Sequence, residues 1–247
     1  MNILNTPSKK CRFVERKIVR IMSKSDYFTV IWIAFRIATV NEQGKVADSM
    51  ADPKVCVTLD GTTVEEMTDE AARANLAGAD IVEVRFDRLY LIKPDPTISD
   101  EEEGEKPELP PENDWETMNM GDVDVEASIA ALKEGLPLPV IFTVRPVSEG
   151  GFFPGVESER IEILQKAIDS KVSWIDLELS IDGSTRKSLQ DAASANGCQV
   201  IASSHDINGT PDAETIVAMV RDNQDAGDIV KFCGTANNHD DALQIIE

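Results

Sequence analysis

The chain holds only two histidines, two tyrosines, three tryptophans and four cysteines in 247 residues. It is also short of positive charge: 24 Lys and Arg face 45 Asp and Glu, for a formal net charge of −21. Each shortage excludes something. Binding a phosphate backbone needs a basic footprint, so no nucleic-acid partner is expected. No CxxC pair and no Cys/His metal-ligand spacing occurs, so no metal site and no disulfide framework are expected. Cys56, Cys198 and Cys233 sit in or beside apolar runs and read as buried free thiols. No GxGxxG turn follows the first strand signal, which weakens a dinucleotide-binding reading. The apolar run 27–40 is interrupted by Arg36 and falls short of the roughly 20 residues a spanning helix needs, so no membrane partner is expected.

The charge that is present comes in blocks. Residues 1–25 carry seven Lys and Arg against one acid, Glu15. The basic stretch and the apolar one after it fit part of a targeting sequence, or a poorly ordered leader, over residues 1–52. Residues 98–128 carry twelve acids against one base, Lys106. With DEEEGEKPELPPEND at its centre, the segment 91–123 reads as an acidic, disordered surface insertion.

From residue 54 onward, β-branched apolar runs alternate with segments of helical spacing. Strands are expected over 54–59, 79–87, 139–145, 174–179, 199–205 and 228–234. Helices are expected between them, over 62–78, 125–135, 157–170, 184–197 and 211–224, with another beginning at 240. Threonine before the first, proline at the start of the last full one and glycine at several ends are the expected helix punctuation. Strict alternation implies a parallel sheet with helical crossovers. An open doubly wound sheet and a closed (β/α) barrel both fit.

In a barrel of this kind, chemistry sits at the C-terminal ends of the strands. Those ends here carry Glu83, Arg85 and Asp87 in alternation, then Arg145 followed by Glu149. Next come Asp176 and Glu178, His205, and Lys231 inside the apolar run IVKF. Burial disfavours a charged amine, and a neutral lysine is a nucleophile that forms imines with ketones. A histidine on the next strand supplies acid/base chemistry near neutral pH. Arginines at the same mouth favour an anionic substrate. Each residue also has a plainer use: an internal ion network, a loop cap, or a lysine reaching solvent. From the residues alone, Schiff-base chemistry on a small anionic ketone is the reading, which covers class I aldolases as well as dehydratases.

Five segments in order then resemble one family. VEVRFD (82–87), FTVRPVSEGG (142–151), IDLEL (175–179), SSHDINGTP (203–211) and DIVKF (228–232) are similar to the successive signatures of type I 3-dehydroquinate dehydratases. The resemblance covers residues 53–247, and the plant-like form, often fused to a shikimate dehydrogenase, is the nearer relative by this reading. It implies a TIM-type (β/α)8 barrel in the α/β class, of which about six β/α units are present. Two further units are implied, one carrying a Ser-Arg pair whose arginine binds the substrate carboxylate. It implies Lys231 as the imine-forming lysine, His205 as general acid/base and Glu149 as the residue orienting that histidine. Glu83, Arg85 and Arg145 are implied as pocket residues, with Thr58 standing where a substrate-contacting serine is common. The implied reaction converts 3-dehydroquinate to 3-dehydroshikimate and water in the shikimate pathway, with no cofactor. A homodimer is one expectation, and the compartment stays open between plastid and cytoplasm. The alternatives are an inactive, truncated barrel serving as a binding module, and another Schiff-base lyase. An open six-strand barrel is expected to leave unpaired edges at its first and last strands.

Overall fold

The computed structural model describes residues 12–20, 31–39, 54–96, 109–238 and 240–241. Six strands form the parallel body of one sheet: β3 (Cys56–Leu59), β4 (Ile81–Arg85), β7 (Val140–Thr143), β8 (Trp174–Glu178), β9 (Gln199–Asp206) and β10 (Ile229–Gly234). Their neighbours follow chain order, β3-β4-β7-β8-β9-β10, and every pairing is parallel. Helices α1 (Val64–Leu76), α2 (Val125–Gly135), α3 (Glu157–Asp169), α4 (Gly183–Asn196) and α5 (Ala213–Asp222) lie in the crossovers. The expected alternation is therefore present from β3 to β10, and the helix expected from 240 lies largely outside the described residues. Local chemistry sets the helix starts. Thr63 Oγ1 accepts from Glu66 N at 3.1 Å, and Asp124, Asp182 and Asp212 cap α2, α4 and α5 in the same way. Each such cap contributes about 0.5–2 kcal/mol.

The sheet is strongly curled. Lys231 on β10 and Glu83 on β4 lie 3.7 Å apart, Nζ to Oε1, although β7, β8 and β9 separate their strands. In a flat sheet that separation is about 19 Å, four steps of about 4.8 Å. The sheet therefore curls into a partial barrel, with β1 (Arg12–Arg20) and β3 at its two ends.

Side-chain alternation along each strand builds the interior. The first inward positions are apolar: Cys56, Ile81, Ile141 and Ile201 form one cluster, with Trp174 and Ile229 packed against it. Two residues further on are Thr58, Glu83, Thr143, Asp176, Ser203 and Lys231. Two further again are Arg85, Arg145, Glu178, His205 and Cys233. The outward positions meet the helices in a second, larger cluster that includes Val82, Val84, Phe142, Ile175, Leu177 and Val200. Full burial of one such side chain is worth about 1.5–3 kcal/mol. Cys56, Cys198 and Cys233 are buried free thiols, as expected. Among the described residues, no helix is long and apolar enough to cross a membrane.

Two expectations are corrected. The first concerns residues 1–52, read as a leader outside the barrel. In the structure they supply β1 (Arg12–Arg20) and β2 (Ile31–Thr39), paired antiparallel with each other. β2 also pairs antiparallel with the outer edge of β10, opposing Ala34 to Lys231. The sequences RFVERKIVR and IWIAFRIAT are rich in the β-branched and aromatic residues that favour strands. The edge of β10 offers them unpaired backbone groups, so the edge expected to be open there is paired.

The second concerns the insertion, expected to be disordered over 91–123. Its neck is ordered: β5 (Leu91–Ile92) pairs antiparallel with β6 (Glu116–Thr117). Arg88 grips Glu112 through two bonds of 2.9 and 2.7 Å, and Met118 N donates to Tyr90 O at 2.7 Å. Residues 97–108 lie outside the described residues, as do Cys11 and His239.

Candidate active site

Lys231 is fully buried, in the polar middle of the curl. Its Nζ donates to Asp176 Oδ2 at 3.0 Å and lies 3.7 Å from Glu83 Oε1. Both carboxylates are themselves held. Asp176 Oδ1 accepts from the Ser203 hydroxyl, and its Oδ2 is 3.4 Å from Arg145 Nη2. Glu83 accepts from Thr58 Oγ1 at 2.8 Å and from Thr143 Oγ1 at 2.9 Å. Burial alone would raise the Asp176 carboxyl, but Lys231, Arg145 and the Ser203 hydroxyl hold it below the usual carboxylate range.

Arg145 follows β7 and is the hub of the next level up. It is 3% exposed, with Asp176, Glu178, Glu83 and Glu149 all within 4.0 Å of its guanidinium. Burial works against its charge, yet Asp176, Glu178 and Glu83 outweigh that and hold it firmly cationic. Glu178 is shared with Arg160, which reaches in from α3 to Oε2 at 2.6 Å. Burial pushes Glu178 up to about 7, against the pull of the two arginines.

His205 stands at the rim. Its Nδ1 is 2.8 Å from Glu149 Oε2, and the Arg145 guanidinium contacts its ring. Glu149 Oε1 in turn accepts from Ser180 Oγ at 2.5 Å. Burial, then the positive charges of Arg145, Lys231 and Arg85, hold His205 well below the ordinary histidine value, so it is neutral at neutral pH. Burial also raises Glu149. When Nδ1–H donates to Glu149, Nε2 is the basic nitrogen.

Arg85 sits apart from the lysine. It forms a two-pronged pair with Asp87, 2.8 and 2.7 Å, and is 18% exposed. Asp87, fully buried, also accepts from the backbone N of Arg145 at 3.2 Å and of Phe152 at 3.1 Å. It thereby ties the strand carrying Glu83 and Arg85 to the loop carrying Arg145 and Glu149. That loop is tight: Gly150 has φ +75°, and a Cβ on Gly151 would lie 2.0 Å from the Arg145 carbonyl oxygen.

Thr58, Glu83, Arg145, Glu149, His205 and Lys231 thus form one connected set, and Arg85 joins it through Asp87. Asp176 and Glu178 belong to the same set, although the sequence places them at a strand end and assigns them no role in the site. The signal was available: each lies two or four residues past an inward apolar position, in step with Lys231 and His205. A cavity of about 350 Å³ opens beside His205, toward α5, lined by Ser204, Asp206, Asn208, Ile216, Met219 and Phe232. Lys231 is not among its lining residues.

A family model described as type I 3-dehydroquinase matches residues 55–247. The chain belongs to that family. Among curated dehydroquinase relatives, a 3-dehydroquinate dehydratase of Methanothermobacter thermautotrophicus is 31% identical over 194 residues, 78% of this chain and 71% of the relative. The chloroplastic bifunctional 3-dehydroquinate dehydratase/shikimate dehydrogenase of Arabidopsis thaliana is also 31% identical, over 74% of this chain and 25% of that protein. The crystal structure of the type I 3-dehydroquinate dehydratase of Clostridium difficile aligns with a TM-score of 0.57 at 22% identity, covering 78% of this chain and 67% of that one. That likeness speaks for the dehydroquinase fold. The match also explains why the polar levels cluster at one end of the sheet: chemistry in such barrels is built from strand C-terminal ends.

Proposed function

We propose that the protein is a 3-dehydroquinate dehydratase of the shikimate pathway, a hydro-lyase working through an imine on Lys231. The observation that carries this reading is the convergence, within a type I 3-dehydroquinase chain, of a fully buried lysine and a neutral histidine paired with a carboxylate.

Lys231 attacks the ketone carbon and the carbonyl oxygen leaves as water. The resulting iminium is an electron sink beside C2. His205 Nε2 takes the C2 proton, and the electron pair of that bond flows to nitrogen as an enamine. The imidazolium then gives its proton to the departing C1 hydroxyl, and hydrolysis of the imine frees 3-dehydroshikimate and the lysine. Glu149 fixes the ring through Nδ1 and stabilises the imidazolium. Acid/base help of this kind is worth about 10²–10⁴ in rate. Arg145, Arg85, Glu83 and Thr58 line the pocket that orients the substrate.

The charge of −21 supports a small-molecule substrate without nucleic-acid partners. The outer edges of β1 and β3, at the two ends of the sheet, support pairing into a homodimer, which size-exclusion chromatography tests. The function is tested by the appearance of the conjugated product from 3-dehydroquinate, with Lys231→Ala as control. Turnover by the wild type alone is expected. A folded wild type without turnover overturns the assignment and leaves a binding module.

A further inference from the structure

We propose that Asp176 is the counter-ion of the protonated imine on Lys231, the group that keeps the imine nitrogen charged until the C2 proton is removed. This rests on the reading above that Lys231 forms that imine. Asp176 Oδ2 accepts from Nζ at 3.0 Å, and the residue is fully buried on β8, two strands from β10. It cannot swing away, because Ser203 holds its other oxygen and Arg145 Nη2 lies 3.4 Å from Oδ2.

The charge needs such a partner. An ammonium and a ketone give an iminium and one water: the oxygen leaves with two of the three ammonium protons, and the third stays on nitrogen with the positive charge. When C2 loses its proton, the C–H pair becomes the new double bond and the C=N pair moves onto nitrogen. A neutral imine is a far poorer sink, and burial away from water disfavours the charged form unless an anion is at hand.

The groups facing Nζ leave few candidates among the described residues. Glu83 from β4 is further away, at 3.7 Å, and both its oxygens are occupied by Thr58 and Thr143. Arg145 and His205 are not anions in this state. Cys56 on β3 and Cys233 on β10 are thiols that burial keeps protonated, Cys233 being pushed up to about 11. β2 places Ala34 opposite Lys231. Asp176 is therefore the nearer of the two fixed anions and the one that accepts a hydrogen bond from Nζ.

The test is the pH profile of borohydride trapping with 3-dehydroquinate, read as intact mass, for wild type, Asp176→Asn, Asp176→Glu and Ser203→Ala. An opposite charge at this range moves a titration by about 1–3 units. The Asp176→Asn profile is therefore expected to move to lower pH by one unit or more, with at least about tenfold less adduct on its alkaline side. Asp176→Glu restores the wild-type position. Ser203→Ala, which only loosens Asp176, shifts the profile the same way by less and carries the test if Asp176→Asn does not fold. A merely structural role would lower the adduct at every pH without moving the profile, and that result overturns the proposal while leaving the imine intact. A wild type that yields no adduct overturns the imine reading and this inference with it.

Discussion

His205 Nδ1 lies 2.8 Å from Glu149 Oε2, so the ring is turned by a carboxylate from a different β/α unit. The same ring is held neutral by burial and by three nearby cations. A neutral, oriented imidazole is a base. His205→Ala is expected to lower kcat by about 10²–10⁴ while the borohydride adduct on Lys231 still forms. Glu149→Gln, which keeps an acceptor for Nδ1 but no charge, is expected to fall between that variant and the wild type. Steady-state kinetics and intact mass on the same samples separate the two steps.

The neutral histidine also makes stability depend on pH. Its folded value is depressed, so below about pH 6.5 the unfolded chain takes a proton that the folded chain refuses. This contribution is present above about pH 6.5 and is lost as pH falls through the folded value. Glu178 acts with the opposite sign: raised to about 7, it contributes below its unfolded value and is lost as pH rises through 7. Comparing wild type with His205→Asn isolates the histidine. The Tm of the wild type should drop more steeply than that of the variant as pH falls from about 6.5. Parallel curves would refute the neutral assignment.

Arg145 compensates several buried carboxylates at once. Removing it leaves Asp176 and Glu178 without their shared cation. Arg145→Met is expected to cost about 3–5 kcal/mol in urea denaturation, the usual penalty for breaking a buried ion pair by deleting one partner. Arg145→Lys should not restore the loss fully, since a single ammonium cannot reach acceptors on four sides.

Gly151 is expected to be intolerant for a reason of space. Its added Cβ would meet the Arg145 carbonyl at 2.0 Å, backbone against backbone. Gly151→Ala should destabilise by about 1–3 kcal/mol and displace both Arg145 and Glu149, lowering kcat. Gly183, at the start of α4, has open space around it. Gly183→Ala should instead stabilise by about 0.4–1 kcal/mol by restricting the unfolded chain. Thermal melts of the two variants are then expected to move in opposite directions.

The antiparallel hairpin β1-β2 covers the edge of β10, the strand that carries Lys231. Deleting residues 1–39 uncovers that edge. Lower Tm and concentration-dependent aggregation in light scattering are expected. An equally stable monomeric product would show that the hairpin is dispensable to the sheet.

Much was settled by local pattern. The alternation of β-branched runs with helical spacing specified the six parallel strands and the helices between them, because periodicity and capping act over a few residues. IVKF and SSHD marked Lys231 and His205 as polar groups at the ends of apolar strands, which is where barrel chemistry is built. The role of the N-terminal segment was not legible. A strand's place is decided by which edge is open to receive it, and that edge, β10, lies nearly two hundred residues further along the chain. The same holds for the carboxylates. Alternation along β8 sets Asp176 two residues and Glu178 four residues past Trp174, but not that Asp176 meets Lys231 while Glu178 meets Arg145 and Arg160. Only the curl of the sheet, by bringing β4, β8 and β10 within one side-chain length across the interior, decided which charge answers which.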